Sequence, residues 1–226
     1  MRHKEPKQKT TNNSGAWNVE SIELIQTKLK RLLILFLLFS PVLLSGQGLS
    51  VPVNVSVFNE STAVPFTKLF TMPVHPGLQI GSEYNYKVKE HSRVFQTANI
   101  SYFFHDHLAQ GVGINTELGY EYSLNSGLAF AGLIGVGYMH TFSTAEEFTF
   151  SNGEYVKKSD SGNSRFYPSI SLDVGYYLNK SERNSPKLFL RYQSWLEYPY
   201  SPDFIPVMTH INFHLGVRFF INFKSR

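Results

Sequence analysis

The sequence predicts an all-β protein in which eight antiparallel strands close into a barrel. From residue 49 onward, apolar residues recur with a period of two, the mark of a strand whose two faces differ. Several of these segments run 12 to 17 residues, against about 5 to 6 for the usual soluble strand. Their apolar faces carry no Lys, Arg, Asp or Glu.

Val51, Val53, Val55 and Val57 open the series. Leu78, Ile80, Tyr84, Tyr86 and Val88 form the second strand, and Val94, Ala98, Ile100, Tyr102 and Phe104 the third. In the fourth, GVGINTELGYEYSL, the positions Val112, Ile114, Thr116, Leu118, Tyr120, Tyr122 and Leu124 are uncharged. Between them stand Gly113, Asn115, Glu117, Gly119 and Glu121, all small or polar. The fifth sets Leu128, Phe130, Ile134, Val136 and Tyr138 against Ala129, Ala131, Gly135 and Gly137. Phe166, Ile170, Leu172, Val174, Tyr176 and Leu178 give the sixth. Leu188, Leu190, Tyr192, Leu196 and Tyr198 give the seventh, and alternation from Val207 to Phe223 gives the eighth.

The links differ in length. Asn59 to Pro76 and Ser143 to Ser164 are long, whereas KEHS, HDHLAQ and Asn125-Ser126-Gly127 are short; NKSERNSP and PYSPDFIP complete the set. If the chain enters from the periplasm, both long links face outside, the usual asymmetry of outer-membrane barrels. An even strand number then puts both termini in the periplasm.

Alternation alone fits a soluble barrel with apolar residues inside or a membrane barrel with them outside. Charge and aromatic placement favour the second. Tyr86, Tyr120, Tyr122, Phe130, Tyr176, Phe219 and Phe223 fall toward one rim, and Tyr102, Phe104, Tyr138, Phe142, Phe166 and Tyr198 toward the other. Two aromatic girdles are what a bilayer interface selects. The opposite face holds Glu83, Lys87, Glu117, Glu121, Asp173, Arg191, Glu197 and Arg218. A soluble core would take in that many charges only at heavy desolvation cost.

Ahead of the strands, Lys28, Lys30 and Arg31 precede a 13-residue apolar run from Leu32 to Leu44, followed by SGQG. A positive n-region, a short apolar stretch and small residues are the parts of a signal peptide. Residues 28–46 are therefore expected to be removed, with cleavage after Gly46 or Gly48. Residues 1–27 form a polar extension. An uncleaved anchor is the alternative, although the run falls short of the ~20 residues a membrane helix needs. Residues 1–46 hold seven basic and three acidic side chains of the chain's 21 and 17, so the remainder is balanced at 14 and 14. No basic patch for nucleic acid survives in the body. The absence of cysteine removes disulfides, thiolate metal sites and a cysteine nucleophile. No cofactor is expected.

A leader, eight amphipathic strands and a last strand ending near Phe223 resemble the small bacterial outer-membrane barrels of the OmpA-transmembrane-domain and OmpX kind, across residues 49–226. The resemblance implies an eight-stranded antiparallel transmembrane β-barrel in contact with lipopolysaccharide, phospholipid and the outer-membrane assembly machinery. One departure is that Lys224, Ser225 and Arg226 run past the terminal aromatic.

Eight strands leave an interior just wide enough for side chains. Glu83, Glu117, Glu121, Asp173 and Glu197 are expected to meet Lys87, Arg191 and Arg218 there, with His210 and His214 alongside; a small ion pathway is the alternative. In the long link, EEFTFSNGEYVKK centres on Asn152-Gly153, a strong two-residue hairpin signal. Phe150 would face Tyr155 and Glu147 would face Lys158, with Phe148 on the same arm. The exposed edge of that hairpin could pair with an extracellular protein, as the protruding strands of the OmpX-like barrels imply. His105, Asp106 and His107 could bind Zn²⁺ or Cu²⁺, although no third ligand is evident and a polar turn explains them too.

His140 shares the parity of the lipid face, near Ser143, Glu146 and Glu147. The grouping is similar to the outer-membrane lipid A deacylases, in which a His-activated hydroxyl hydrolyses an acyl bond. In that family His and Ser stand two apart. Here position 142 is Phe and Ser143 has the other parity. The leading reading is a non-enzymatic barrel with a structural or surface-interaction role. A deacylase-like hydrolase is the second, and a secreted lipocalin-like lipid binder the third.

Overall fold

The alternating segments pair with their sequence neighbours, and the first pairs with the last. In the computed structural model they are β1 (Leu49–Thr62), β2 (His75–Val88), β3 (Ser92–Phe104), β4 (Ala109–Ser123) and β5 (Leu128–Ser143), then β8 (Asn163–Tyr177), β9 (Lys187–Glu197) and β10 (Met208–Phe223). They close in the order β1-β10-β9-β8-β5-β4-β3-β2, all antiparallel. Closure leaves no sheet edge. A separate hairpin, β6 (Phe148–Ser151) with β7 (Glu154–Lys157), stands on the link between β5 and β8. The structure describes residues 49–106, 108–145, 148–151, 153–157, 160–180, 182, 184–201 and 205–223. The expected extension, leader and residues 224–226 lie outside them. We call the end bearing Leu49 and Phe223 the terminal rim, and the end bearing residues 63–74, 105–106, 144–145 and 160–162 the loop rim.

The pleat sends alternate side chains to opposite sides. On β4, Ile114 and Leu118 are exposed on the outside, while Glu117 and Glu121 are buried within. Ile134, Ile170, Leu172, Leu190 and Leu215 extend this exposed apolar wall around the barrel. A water-soluble barrel has the reverse arrangement. The lipocalin-like alternative is therefore corrected: a lumen lined by Glu117, Asp173 and Arg191 offers an acyl chain no apolar container.

Aromatic rows mark both rims. Tyr138 pairs with Phe166, which bridges to Tyr198, giving a row across three strands near the loop rim. Tyr122 pairs with Phe130 near the terminal rim. Inside, bulky rings lie over glycines on the next strand. A Cβ on Gly77 would come within 2.2 Å of the Phe58 ring, and one on Gly137 within 2.3 Å of Tyr167. Phe58 and Gly77 are register partners, as are Tyr167 and Gly137. These missing side chains make room for aromatic filling of a narrow cylinder.

The first long link departs from a simple projecting loop. β1 continues to Thr62, and residues 63–74 lie back against the outside of β1, β9 and β10. Asn59 Nδ2 donates to Thr71 O at 2.9 Å, and its Oδ1 accepts from His75 N at 2.7 Å. Phe66 N donates to the Tyr192 hydroxyl at 2.8 Å, and the two rings stack at 5.3 Å. Phe70 meets Phe213 edge-on. Tyr192, Ser194 and Ile211 are buried although their parity points outward. Polar positions on the wall thus satisfy the loop backbone, and the exposed Val64, Leu69 and Met72 continue the apolar surface.

A charge placed mid-wall should be costlier than one at the aromatic rim. Leu118→Arg should lower unfolding free energy in lipid vesicles by about 2–4 kcal/mol, and Tyr122→Arg by about 0–1 kcal/mol. Denaturant titration measures both; equal, negligible effects would contradict a lipid-facing wall.

Candidate functional site

The interior gathers the buried charged side chains of the described residues, and its lining comes from every barrel strand. Near the terminal rim, Arg93 is held between two carboxylates. Its Nε and Nη2 donate to Glu121 at 2.8 and 3.0 Å, and its Nη1 donates to Glu83 at 2.5 Å. Lys187 Nζ donates to Glu121 at 2.6 Å, and the Tyr177 hydroxyl adds a bond to the same carboxylate. Glu83 also accepts from Arg218 at 3.3 Å and from Asn54 at 3.1 Å.

Midway along the lumen, Arg191 forms a fork with Asp173, through Nε at 2.7 Å and Nη2 at 2.8 Å, and reaches Glu117 through Nη1 at 2.9 Å. The other Glu117 oxygen accepts from Ser169, Ser171 and Gln193. Bidentate, charge-assisted bonds of this kind offset desolvation that an isolated ion would bear in full. His214 is buried nearby and bonds Ser56 Oγ at 3.1 Å.

Above lies an apolar cluster of Phe58, Phe103, Met139, Tyr167 and Trp195. Trp195 stacks on His210 with centroids 4.1 Å apart and donates its indole N–H to Asn212. His210 bridges Glu60, at 2.7 Å from Nδ1, and Glu197, at 3.0 Å from Nε2. Arg165 pairs with Glu197 at 2.9 Å. Among the described residues, Glu60, Glu83, Glu117, Glu121, Asp173 and Glu197 thus face Arg93, Arg165, Lys187, Arg191, Arg218 and His210. The chemistry is that of a charge-paired, hydrogen-bonded filling.

One expected member is corrected. Lys87 is exposed. A bulge shifts the β2–β3 register between Asn85 and Lys87, so Lys87 pairs with the outward Val94. The extra residue turns its side chain out of the interior parity. Arg93, Lys187, Arg165 and Glu60 take part without having been singled out. Arg93 and Lys187 carried a signal, each immediately preceding an outward apolar residue, Val94 and Leu188. Arg165 carried it too, ahead of the outward Phe166, whereas Glu60 lies where the apolar alternation fades.

On the hairpin, Phe150 pairs with Tyr155, their rings 5.2 Å apart, and Phe148 with Lys157. Gly153 has φ 86°, the left-handed conformation a tight turn needs. Asn152, Glu147 and Lys158 lie outside the described residues. His140 is half-buried on the outer wall, where its Nε2 bonds Ser161 O at 3.2 Å. Ser143 Oγ donates to Ala145 O at 3.0 Å. No hydrogen bond joins His140 to Ser143, and Glu146 lies outside the described residues. His105 is half-buried after β3 and stacks on His75, with centroids 3.4 Å apart. Asp106 is exposed, and His107 lies outside the described residues.

No family model and no curated protein matches the chain. Among solved structures, it is similar to the Neisserial surface protein A at 11% identity, covering 75% of this chain and 95% of that one, TM-score 0.49. It is similar to the outer membrane enzyme PagL at 11% identity, covering 74% and 98%, TM-score 0.43. Ail, the attachment invasion locus protein of Yersinia pestis, is 13% identical, with 79% and 100% covered and TM-score 0.42. At such identities no residue of this chain takes a role from them.

Removing Arg191 strands two buried carboxylates. Arg191→Leu should cost about 3–5 kcal/mol of stability, read by denaturant unfolding of the reconstituted barrel. A change below about 1 kcal/mol would mean that the Arg191–Asp173–Glu117 contacts do not hold the interior.

Proposed function

We propose that the chain is a bacterial outer-membrane β-barrel whose filled interior is structural and whose loop rim presents a surface to the extracellular side. The observation that carries this reading is the inversion of polarity: charges are paired inside, and an apolar belt with aromatic rims is exposed outside. In this reading residues 28–46 direct export and are removed, residues 49–226 form the barrel, and both termini lie in the periplasm. The wall contacts lipopolysaccharide and phospholipid, and the assembly machinery inserts it. The β6–β7 hairpin exposes Phe148, Phe150, Tyr155 and Val156 at the loop rim. A two-stranded hairpin with free edges and exposed aromatics is suited to strand addition by an extracellular protein.

Fractionation and an unboiled detergent gel test the barrel reading. The expected result is protein in the outer-membrane fraction, with a faster band unboiled than boiled. An unshifted band from the soluble fraction would overturn it. Deleting Phe148–Lys157 should keep the gel shift while abolishing capture of extracellular protein on intact cells; equal capture by both forms would remove the hairpin from the account.

A further inference from the structure

We propose that Glu60, His75 and His105 bind a divalent transition-metal cation of the Zn²⁺ class at the loop rim of the lumen. Glu60 on β1 is the register partner of His75 on β2, and His105 follows β3 beside them. The register that pairs Gly77 with Phe103 continues directly toward these two histidines. One ligating atom of each of the three residues lies within 4.8 Å of the others.

The surrounding contacts prepare the ligands. His75 Nδ1 lies 3.0 Å from the Glu60 carbonyl oxygen. A carbonyl only accepts, so Nδ1 carries the proton and the Nε2 lone pair is left for a metal, the usual outer-shell arrangement of a metal-binding histidine. The Glu60 carboxylate is 1% exposed. Its Oε1 is fixed by His210 Nδ1 at 2.7 Å, and His210 is fixed in turn by Glu197 at 3.0 Å. Glu60 Oε2 has no hydrogen-bond partner among the described residues. A buried carboxylate oxygen without a partner is costly, and a cation satisfies it.

Two imidazoles and one carboxylate make a donor set suited to Zn²⁺, with a fourth position for water or a small anion. Mg²⁺ and Ca²⁺ favour sites built of oxygens. The neutralised network beneath has no spare carboxylate to compete, since Glu83, Glu117, Glu121 and Asp173 are engaged by Arg93, Arg191, Arg218 and Lys187.

Isothermal titration of the untagged, metal-stripped full chain with Zn²⁺ tests the site, with the unboiled gel shift verifying the fold of each variant. One Zn²⁺ should bind per chain without competition from Mg²⁺. His75→Ala, His105→Ala and Glu60→Gln should each weaken binding by about tenfold or more, at least the effect of losing an outer-shell partner. His91→Ala, at the opposite rim, should leave it unchanged. Should Glu60→Gln fail to fold, Co²⁺ loaded into the parent chain and the two histidine variants supplies a second reading. Its visible absorption should be that of a four-coordinate nitrogen and oxygen site, and should vanish in both variants. Absence of stoichiometric binding, or affinity preserved in His75→Ala and His105→Ala, would overturn the proposal.

Discussion

Every charge inside this barrel has to find its counter-charge across the lumen, and the rest of the structure depends on that constraint. Arg93 and Arg191 each bridge two carboxylates contributed by different strands. These contacts tie strands that do not share backbone hydrogen bonds, because Glu117 on β4 meets Arg191 on β9 across the interior. Such a network stabilises only when complete, since one unpaired buried ion costs more than a neutral pair of the same shape. It also fixes the hand of the alternation. A one-residue slip of any strand would send its charges into the wall and its apolar side chains into the lumen.

Much of this was legible in the sequence because alternation and charge placement repeat in every strand. Eight strands, their order and the inward face of β4 follow from Val112 to Leu124 and their counterparts elsewhere. The interior was less legible. Parity marks Glu117, Asp173 and Arg191 as inward, but it does not reveal that one guanidinium bridges both carboxylates, which depends on three-strand geometry. Strict alternation puts Lys87 inside because it cannot register the residue that a bulge adds. Glu60 carries no such mark, because β1 continues beyond the last of its alternating valines, where polar residues replace the apolar signal. The folding back of residues 63–74 is a tertiary event. Polar residues at outward positions, Asn59, Ser61 and Ser194, hint at it.

The two ends of the barrel differ in character. At the terminal rim the tight turns after β2 and β4 lie over a dense ionic cluster. The loop rim carries an apolar layer around Trp195, then His210 between two carboxylates, then two stacked histidines. Water and solutes outside the barrel therefore meet imidazole, carboxylate and Arg165 before they meet the Arg93 and Arg191 network. The lumen is filled by its own side chains, and the rim and the hairpin are the parts most open to the surroundings.

The central claim is that the alternate positions of each strand divide between lipid and a charged interior. Because the chain contains no cysteine, single cysteines can be placed at successive positions from Val112 to Tyr122 and spin-labelled in reconstituted bilayers. Collision with oxygen dissolved in the lipid should rise and fall with a period of two, high at Val112, Ile114, Leu118 and Tyr120 and low at Gly113, Asn115, Glu117 and Gly119. The opposite phase, or uniform access to a water-soluble nickel reagent at the even positions, would contradict the account.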